Sequence, residues 1–219
     1  MEEPSIPWTP VKALLNLAGK ADIREQVNGV WIDRRGPHLI VWATTGKVLG
    51  AYRTEEPSTD GPDVFLPRHI VEAGSRDFAA MATIKRENDG RMSISCQGTT
   101  HYWQDKRLVP ADWRRAVPAR CTGIAQQFDA RLLGSFLKAR KALGHKDRDS
   151  AVRIGHNGGL EGAPRDSALI ELWDVPEFIG ALGTMRVDET GSVYLVSQPD
   201  WVREIGRVPV EETAGADLV

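Results

Sequence analysis

A helical segment followed by strand-like segments recurs along this chain, and the recurrence limits the possible folds more than any other feature. Thr9 and Pro10 predict the start of a first helix, because threonine caps free amides and proline suits a first turn. Alternating apolar residues then predict strands at residues 30–32, 39–42 and 48–52, followed by a polar loop over residues 54–63. The helix is expected to bury the apolar residues that recur at helical spacing, namely Val11, Leu14, Leu15 and Ala18.

The pattern appears twice more. Pro67 suits the first turn of a short helix that Gly74 ends, and strands follow at residues 81–86, 91–96 and 101–103. Asp89 and Gly90 predict a hairpin turn between the first two of these strands. A third helix over residues 128–143, ended by Gly144, precedes strands at 152–154, 168–172 and 178–187. Its inward side is predicted to carry Leu132, Leu133, Phe136, Leu137 and Leu143.

A proline-bracketed segment, PADWRRAVP from Pro110 to Pro118, divides the second pattern from the third. Each proline fixes its own φ and extends the residue before it, so the segment predicts a stiff connector. The division predicts domains at residues 1–109 and 119–187 and a tail at 188–219, which holds a possible strand at 193–196 and the acidic Glu211 and Glu212. An α+β fold with antiparallel sheets follows from this order.

Charge leaves a local basic surface open. The 28 basic and 30 acidic side chains give a net charge of -2, which argues against a chain that coats nucleic acid over its whole surface. Lys12, Lys20 and Arg24 lie off the first apolar stripe, while Arg131, Lys138 and Lys141 share one side of the third helix. An ordinary solvated face is the alternative for both groups.

Chemical motifs indicate neither an enzyme nor a cofactor. Cys96 and Cys121 have no paired spacing, so no disulfide or zinc site is predicted and a reducing, cytoplasmic setting is expected. The sequence GHNGG at residues 155–159 lies between strands and is interpreted as a hairpin turn, and His145 beside Asp147 as surface decoration. With no signal peptide and no apolar run near ~18 residues, we expect a soluble protein without membrane contact.

Six local sequences resemble, in order, landmarks of the bacterial DNA polymerase III beta subunit, the sliding clamp that tethers polymerase to duplex DNA. They are VNG (27–29), ATTGKVLG (43–50), FLPRHIVE (65–72), PADWRRAVP (110–118), FDARLLGSFLKA (128–139) and ALGTMRV (181–187). The resemblance implies a clamp fold that keeps the middle domain and the second half of the last. Gly183 and Thr184 stand where the family has methionine and proline.

Two surfaces are implied by the resemblance. DNA would pass along helix faces, where Arg24 and Arg68 match family positions, and the helix spacing adds Lys12, Lys20, Arg131, Lys138 and Lys141. A hydrophobic pocket would take short peptides of polymerases or other replication proteins; simple core and turn roles are the alternative for its residues. The matching positions are Val27, Thr44, Gly46, Lys47, Leu49, Ala111, Ala116, Leu182, Gly183, Thr184, Met185 and Arg186.

Two functional hypotheses follow. One is a phage, plasmid or mobile-element clamp that forms a homo-oligomeric ring and gives a polymerase processivity. The other is an adaptor or inhibitor outside any ring, which keeps the peptide pocket and does not hold DNA. An unrelated α+β enzyme would need a pocket of perturbed titratable groups, and the sequence offers none.

Overall fold

The computed structural model describes residues 5–58, 61–74, 80–118, 121, 128–144, 152–156 and 167–184. These residues all belong to one compact unit, Met1–Met185, and a second unit spans Arg186–Val219. The helices of the described part are α1 (Trp8–Leu14), α2 (Arg68–Ala73) and α3 (Ala130–Ala142). The strands are β1 (Ser5–Pro7), β2 (Gly29–Asp33), β3 (His38–Thr44), β4 (Val48–Pro57), β5 (Val64–Pro67), β6 (Met81–Arg86), β7 (Arg91–Cys96), β8 (Thr99–Gln104), β9 (Val152–Gly155), β10 (Ser167–Leu172) and β11 (Phe178–Gly183).

Two antiparallel sheets hold these strands. The smaller has the order β1-β6-β7-β8, and the larger has the order β5-β2-β3-β4-β11-β10-β9. In the larger sheet β4 pairs with β11, from Tyr52 opposite Phe178 to Val48 opposite Leu182. Strands from before and after the connector therefore share one sheet. The predicted boundary between two domains stays a prediction.

The first face of the seven-stranded sheet, here called the helix face, packs against the helices. Because side chains alternate along a strand, Val30 and Ile32 point to this face while Trp31 between them points away. α1 packs against α3. Phe136 of α3 is fully buried and meets Phe178 of β11 edge to face, with ring centroids 6.2 Å apart. The apolar side of the smaller sheet joins the same core.

The opposite face, here called the connector face, is lined by aromatic side chains. Trp31 and Trp42 stack with ring centroids 5.8 Å apart, and Phe65 lies 5.0 Å from Trp31. The connector crosses this face and forms a single 3-10 turn over Trp113–Ala116. Trp113 is buried in the cluster that these aromatic residues form. A segment that the sequence presents as a linker is thus a cover for one side of the sheet.

The α+β architecture and the hairpin of β6 and β7 are confirmed, with Gly90 at φ +84° in the turn. The helix end at Gly144, φ +94°, is confirmed as well. The predicted cap at Thr9 was wrong. α1 begins at Trp8 behind Pro7, so Thr9 lies within the helix.

Three further predictions need correction. The polar loop predicted at 54–63 is strand as far as Pro57, because the buried Thr54 Oγ1 donates to Leu39 O at 3.0 Å and holds the segment against β3. Leu137 was predicted to face inward, yet 44% of it is exposed, since it follows the buried Phe136 by one residue and points about 100° away around the helix. β11 ends at Gly183, and the rest of its predicted span, 185–187, lies outside the described residues. So do His145, Asp147, the centre of the GHNGG turn and the tail.

Candidate functional site

Three of the predicted pocket residues lie in the tight turn between β3 and β4. Thr44 Oγ1 donates to Val48 O at 2.6 Å and accepts from Gly46 N at 2.8 Å. Gly46 adopts φ +85°, a conformation that glycine takes without steric cost. Lys47 O accepts from Gly183 N at 2.7 Å, so this turn is joined to the end of β11.

Two of the predicted pocket residues, Leu49 and Ala116, lie on the connector face. Leu49 is 5% exposed and belongs to the aromatic cluster, against which the half-buried Ala116 packs. Leu182 does not join them, because it is fully buried on the helix face. Strand alternation explains the error: the residue of β11 that points toward the connector is Ala181, its neighbour.

The remaining pocket positions are dispersed. Val27 is buried, and its carbonyl accepts from Gly19 N at 2.7 Å. Ala111 is exposed on the connector, whereas Thr184 is half-buried just after β11. Met185 and Arg186, the predicted opposite wall, lie outside the described residues. The structure therefore places Leu49 and Ala116 in one cluster on the connector face, and the β3–β4 turn directly precedes the strand that holds Leu49. A peptide pocket formed by these residues stays a prediction.

Arg24, a predicted DNA-facing residue, contacts the turn between β3 and β4. Its guanidinium donates to Asp22 through Nε at 3.0 Å and Nη2 at 2.9 Å, and Nη2 also donates to Thr45 O at 3.0 Å. The hydrogen bond from Arg24 lowers the pKa of Asp22 to about 2. Gly46 closely approaches the same guanidinium. Arg24 thus anchors the loop before β2 to the β3–β4 turn.

Arg68 is largely committed to the interior. Its Nε donates to Gly19 O at 2.9 Å, and Nη2 donates to Leu15 O and Ala18 O at 3.0 Å each. Nη1 pairs with Glu72 at 3.1 Å, and only 17% of the side chain is exposed. These bonds satisfy backbone carbonyls at the end of the first helical segment, a structural role that leaves little of the guanidinium for a phosphate.

The other predicted DNA-facing cations differ in their surroundings. Lys12 Nζ donates to Gly74 O at 3.2 Å and lies 5.8 Å from the centroid of the Trp8 ring. Arg131 is 90% exposed but forms a paired contact with Asp129, the shorter bond being 2.6 Å. Lys20 lies just after the first helical segment, and Lys138 and Lys141 lie on α3; the side chains of all three are exposed.

A buried carboxylate on the connector face escaped the sequence predictions. Asp33, at the end of β2, is fully buried and accepts Trp113 Nε1 at 3.0 Å and Arg114 Nη1 at 2.6 Å. Arg35 donates to it from its backbone N and its guanidinium at 2.9 to 3.1 Å. Burial raises the pKa of Asp33, but the hydrogen bonds from Arg35, Trp113 and Arg114 outweigh this and hold the pKa below its usual range.

A second carboxylate, Asp63, lies close to this group. Its side chain is 6% exposed, and its Oδ2 is 3.4 Å from the guanidinium of Arg35. Burial and the charge of Asp33 raise the pKa of Asp63.

The alternation of side chains along β2 could have located Asp33 from the sequence. If Val30 and Ile32 face the helices, Asp33 must share the opposite face with Trp31.

An open cavity of about 540 Å³ lies beside the end of β8 and the segment that precedes the connector. Phe65, Pro67, Trp103 and Leu108 form its apolar wall, and Arg68 is the one predicted site residue that contributes to it. Leu108, two residues before the connector, also packs on the aromatic cluster of the connector face, so this residue borders both the cavity and that cluster.

In the parts of the chain that the structure describes, no group of three or more His, Cys, Asp or Glu side chains is placed to hold a metal ion. Among the described helices, none is long and apolar enough to cross a membrane.

Comparison with solved structures identifies the fold as that of the bacterial sliding clamp. The DNA polymerase sliding clamp of Pseudomonas aeruginosa matches with a TM-score of 0.61 and 14% identity, over 84% of this chain and 66% of that chain. The DNA polymerase III beta subunit of Thermotoga maritima matches with a TM-score of 0.60 and 9% identity, over 85% and 66%. The beta subunit of Borrelia burgdorferi matches with a TM-score of 0.61 and 12% identity, over 86% and 65%.

This chain therefore spans slightly less than two thirds of the solved clamps to which it is similar. No protein-family model matches the sequence, and no curated protein matches it. At these identities, the likeness establishes the fold, and the predicted resemblance to a shortened clamp is confirmed at that level.

Proposed function

We propose that this protein is a sliding-clamp-like processivity factor that binds short hydrophobic peptides of DNA polymerases or other replication proteins and contacts duplex DNA. The clamp fold, matched over about 85% of the chain, is the observation that carries the proposal. Binding, with no catalytic step, is the activity proposed.

Peptide binding is the part of the proposal with the strongest local support. The support is that Leu49 and Ala116, which are distant in sequence, both pack in the apolar cluster of the connector face, and that the β3–β4 turn directly precedes the strand of Leu49. Burying one Leu or Phe anchor against such a cluster contributes roughly 1.5 to 3 kcal/mol. Two such anchors suit roughly micromolar peptides that exchange readily.

DNA contact rests on the exposed lysines Lys20, Lys138 and Lys141. Phosphate contacts need positive charge without base-specific geometry, so a few lysines on the helix side suffice in a chain of net charge -2. Ring closure would require several copies of the chain, because each covers only part of a clamp.

A non-ring adaptor that binds clamp partners without DNA is the second candidate. The specific observation in its favour is that Arg24, Arg68 and Arg131, three of the predicted DNA-facing residues, are hydrogen-bonded to groups of this chain. An adaptor needs the connector face and can lose the cationic surface.

Two measurements on the full chain separate these candidates. Fluorescence anisotropy with a labelled short peptide carrying two leucine or phenylalanine anchors tests the shared pocket, and retention on nicked circular DNA, with light scattering for oligomeric state, tests the clamp. A clamp binds the peptide and is retained on the circle after assembly. A strict monomer that binds peptide and is never retained supports the adaptor, and the absence of peptide binding contradicts both.

A further inference from the structure

We propose that Asp33 is a positioning residue that latches the connector onto the sheet and thereby sets the wall of the peptide pocket. The pocket part of this inference rests on the proposed function. The latch itself is defined by contacts within the chain and can be tested without any partner.

The first step is the isolation of Asp33 from water. Its carboxylate is fully buried and accepts five hydrogen bonds, three from Arg35 and one each from Trp113 and Arg114. A buried carboxylate that loses its donors incurs a large desolvation penalty, so the donors and the acceptor hold one another in place. Charge-assisted bonds of this kind are about twice as strong as neutral ones.

The second step is the sequence distance that the latch spans. Trp113 lies 80 residues after Asp33, and the bonds from Trp113 and Arg114 join the connector to the end of β2. Arg114 also lies 4.6 Å from the Trp113 ring, which keeps the two donors together. Farther along, Ser167 Oγ donates to Ala116 O at 3.0 Å. The connector is therefore held by polar contacts at both ends of its 3-10 turn.

The third step links the latch to the pocket. Ala116 follows Arg114 by two residues and packs against the aromatic cluster, of which Leu49 is a member. If Asp33 releases Trp113 and Arg114, the 3-10 turn loses its attachment to β2 and keeps the bond from Ser167 at its far end, so Ala116 is held less firmly in the aromatic cluster. Asp33 thus controls a wall that it does not itself touch.

Trypsin offers a direct test, because the connector carries Arg114 and Arg115 as cleavage sites within the latched turn. Cleavage requires local opening, and its rate follows the stability of that opening. In Asp33→Asn, cleavage after either arginine, mapped by mass spectrometry, should be faster by on the order of tenfold. Asp129→Asn is the matched control, because it changes a carboxylate that pairs with Arg131 at the start of α3, away from the connector in sequence, and it should leave the rate unchanged.

Trp113→Phe provides a second variant if Asp33→Asn folds poorly. Phenylalanine keeps an aromatic ring in the cluster and removes the Nε1 donor alone, so cleavage should accelerate by a smaller factor of about 3 to 10. In wild type the Trp113 indole proton, identified by its absence in this variant, should exchange slowly with solvent. Asp33→Asn should accelerate that exchange, whereas Ile94→Val, a core change in the smaller sheet, should lower stability without moving it.

The outcomes separate the latch from the proposed function. Unchanged cleavage and unchanged indole exchange in Asp33→Asn would overturn the latch. Faster cleavage with undiminished binding of the two-anchor peptide would overturn its role in the pocket. Faster cleavage in a protein whose wild type binds no peptide would support the latch and reject the peptide function. Faster cleavage together with at least tenfold weaker peptide binding is the result we expect.

Discussion

The helix face and the connector face of the seven-stranded sheet are covered by different means. On the helix face, Phe136 packs against Phe178 in a continuous apolar core shared with the smaller sheet. On the connector face, one nine-residue segment lies over a smaller aromatic cluster and is fastened by Asp33. Apolar packing gives the first cover its stability, whereas the second depends on a few directional bonds that a single substitution can remove.

The largest expected effect lies on the helix face. Phe136→Ala should lower the free energy of unfolding by about 3 to 5 kcal/mol, because it leaves a cavity in the closed core. Trp113→Ala should cost less in global unfolding, since the connector can open locally first. Urea denaturation of both variants measures the difference, and equal losses would remove the distinction between the two faces.

The next largest effect should be on peptide affinity, when a bulky side chain occupies the proposed pocket. Ala116→Phe places a ring against the cluster that contains Leu49, where we propose that a peptide anchor is buried, so affinity for the two-anchor peptide should fall about ten- to a hundredfold. Ala73→Phe, at the exposed end of α2, is the control and should bind normally. Fluorescence anisotropy reports both affinities. Equal binding by the two variants would place the peptide elsewhere.

A smaller effect should appear on the helix side in DNA binding. Replacing Lys20 and Lys138 by alanine should reduce the slope of log affinity against log salt by up to about 2, because each phosphate contact contributes roughly 0.9. Lys106→Ala is the matched control, since this exposed lysine pairs with Glu25 beside the cavity near the connector. If Lys106→Ala changed the slope more than the double variant does, DNA would bind near Lys106 and the proposed DNA contact on the helix side would be wrong.

The smallest expected effect is on the stability contributed by Asp63, whose pKa is shifted in the opposite direction to that of Asp33. Burial and the charge of Asp33 raise the pKa of Asp63 in the folded protein, so its ionised form costs stability as pH rises above the unfolded value of about 4. Asp63→Asn should therefore be more stable than wild type at pH 7, and the gain should vanish toward pH 4.

Asp33 supplies the contrasting case for the same titration. Its pKa is lowered, so its stabilisation is present above about pH 4 and is lost as pH falls below that value. Denaturation should accordingly show that Asp33→Asn has a lower free energy of unfolding than wild type at pH 7, and that this difference shrinks in acid. If Asp63→Asn were instead less stable than wild type at neutral pH, the ion pair of Asp63 with Arg35 would outweigh the cost of burying the Asp63 charge.

The sequence predicted more of the helix face than of the connector face, for a physical reason. Apolar periodicity along α3 identified Phe136, and alternation along β2 identified Val30 and Ile32, because both patterns are local. The contact of Asp33 with Trp113 joins residues 80 apart, and no local pattern records which strand a connector crosses. The prediction that Leu182 lines the pocket was wrong for a similar reason. A strand that is apolar and buried on both faces does not show from its sequence which residues point to which face.

Hydrogen exchange footprints of the full chain, with the two-anchor peptide and with duplex DNA in separate samples, test the central claim most directly. We expect the peptide to protect residues 42–49 and 108–117 on the connector face, and DNA to protect the segment around Lys20 and α3 while leaving the connector unchanged. Peptide protection confined to the helices, or DNA protection centred on the connector, would contradict the assignment of the two faces.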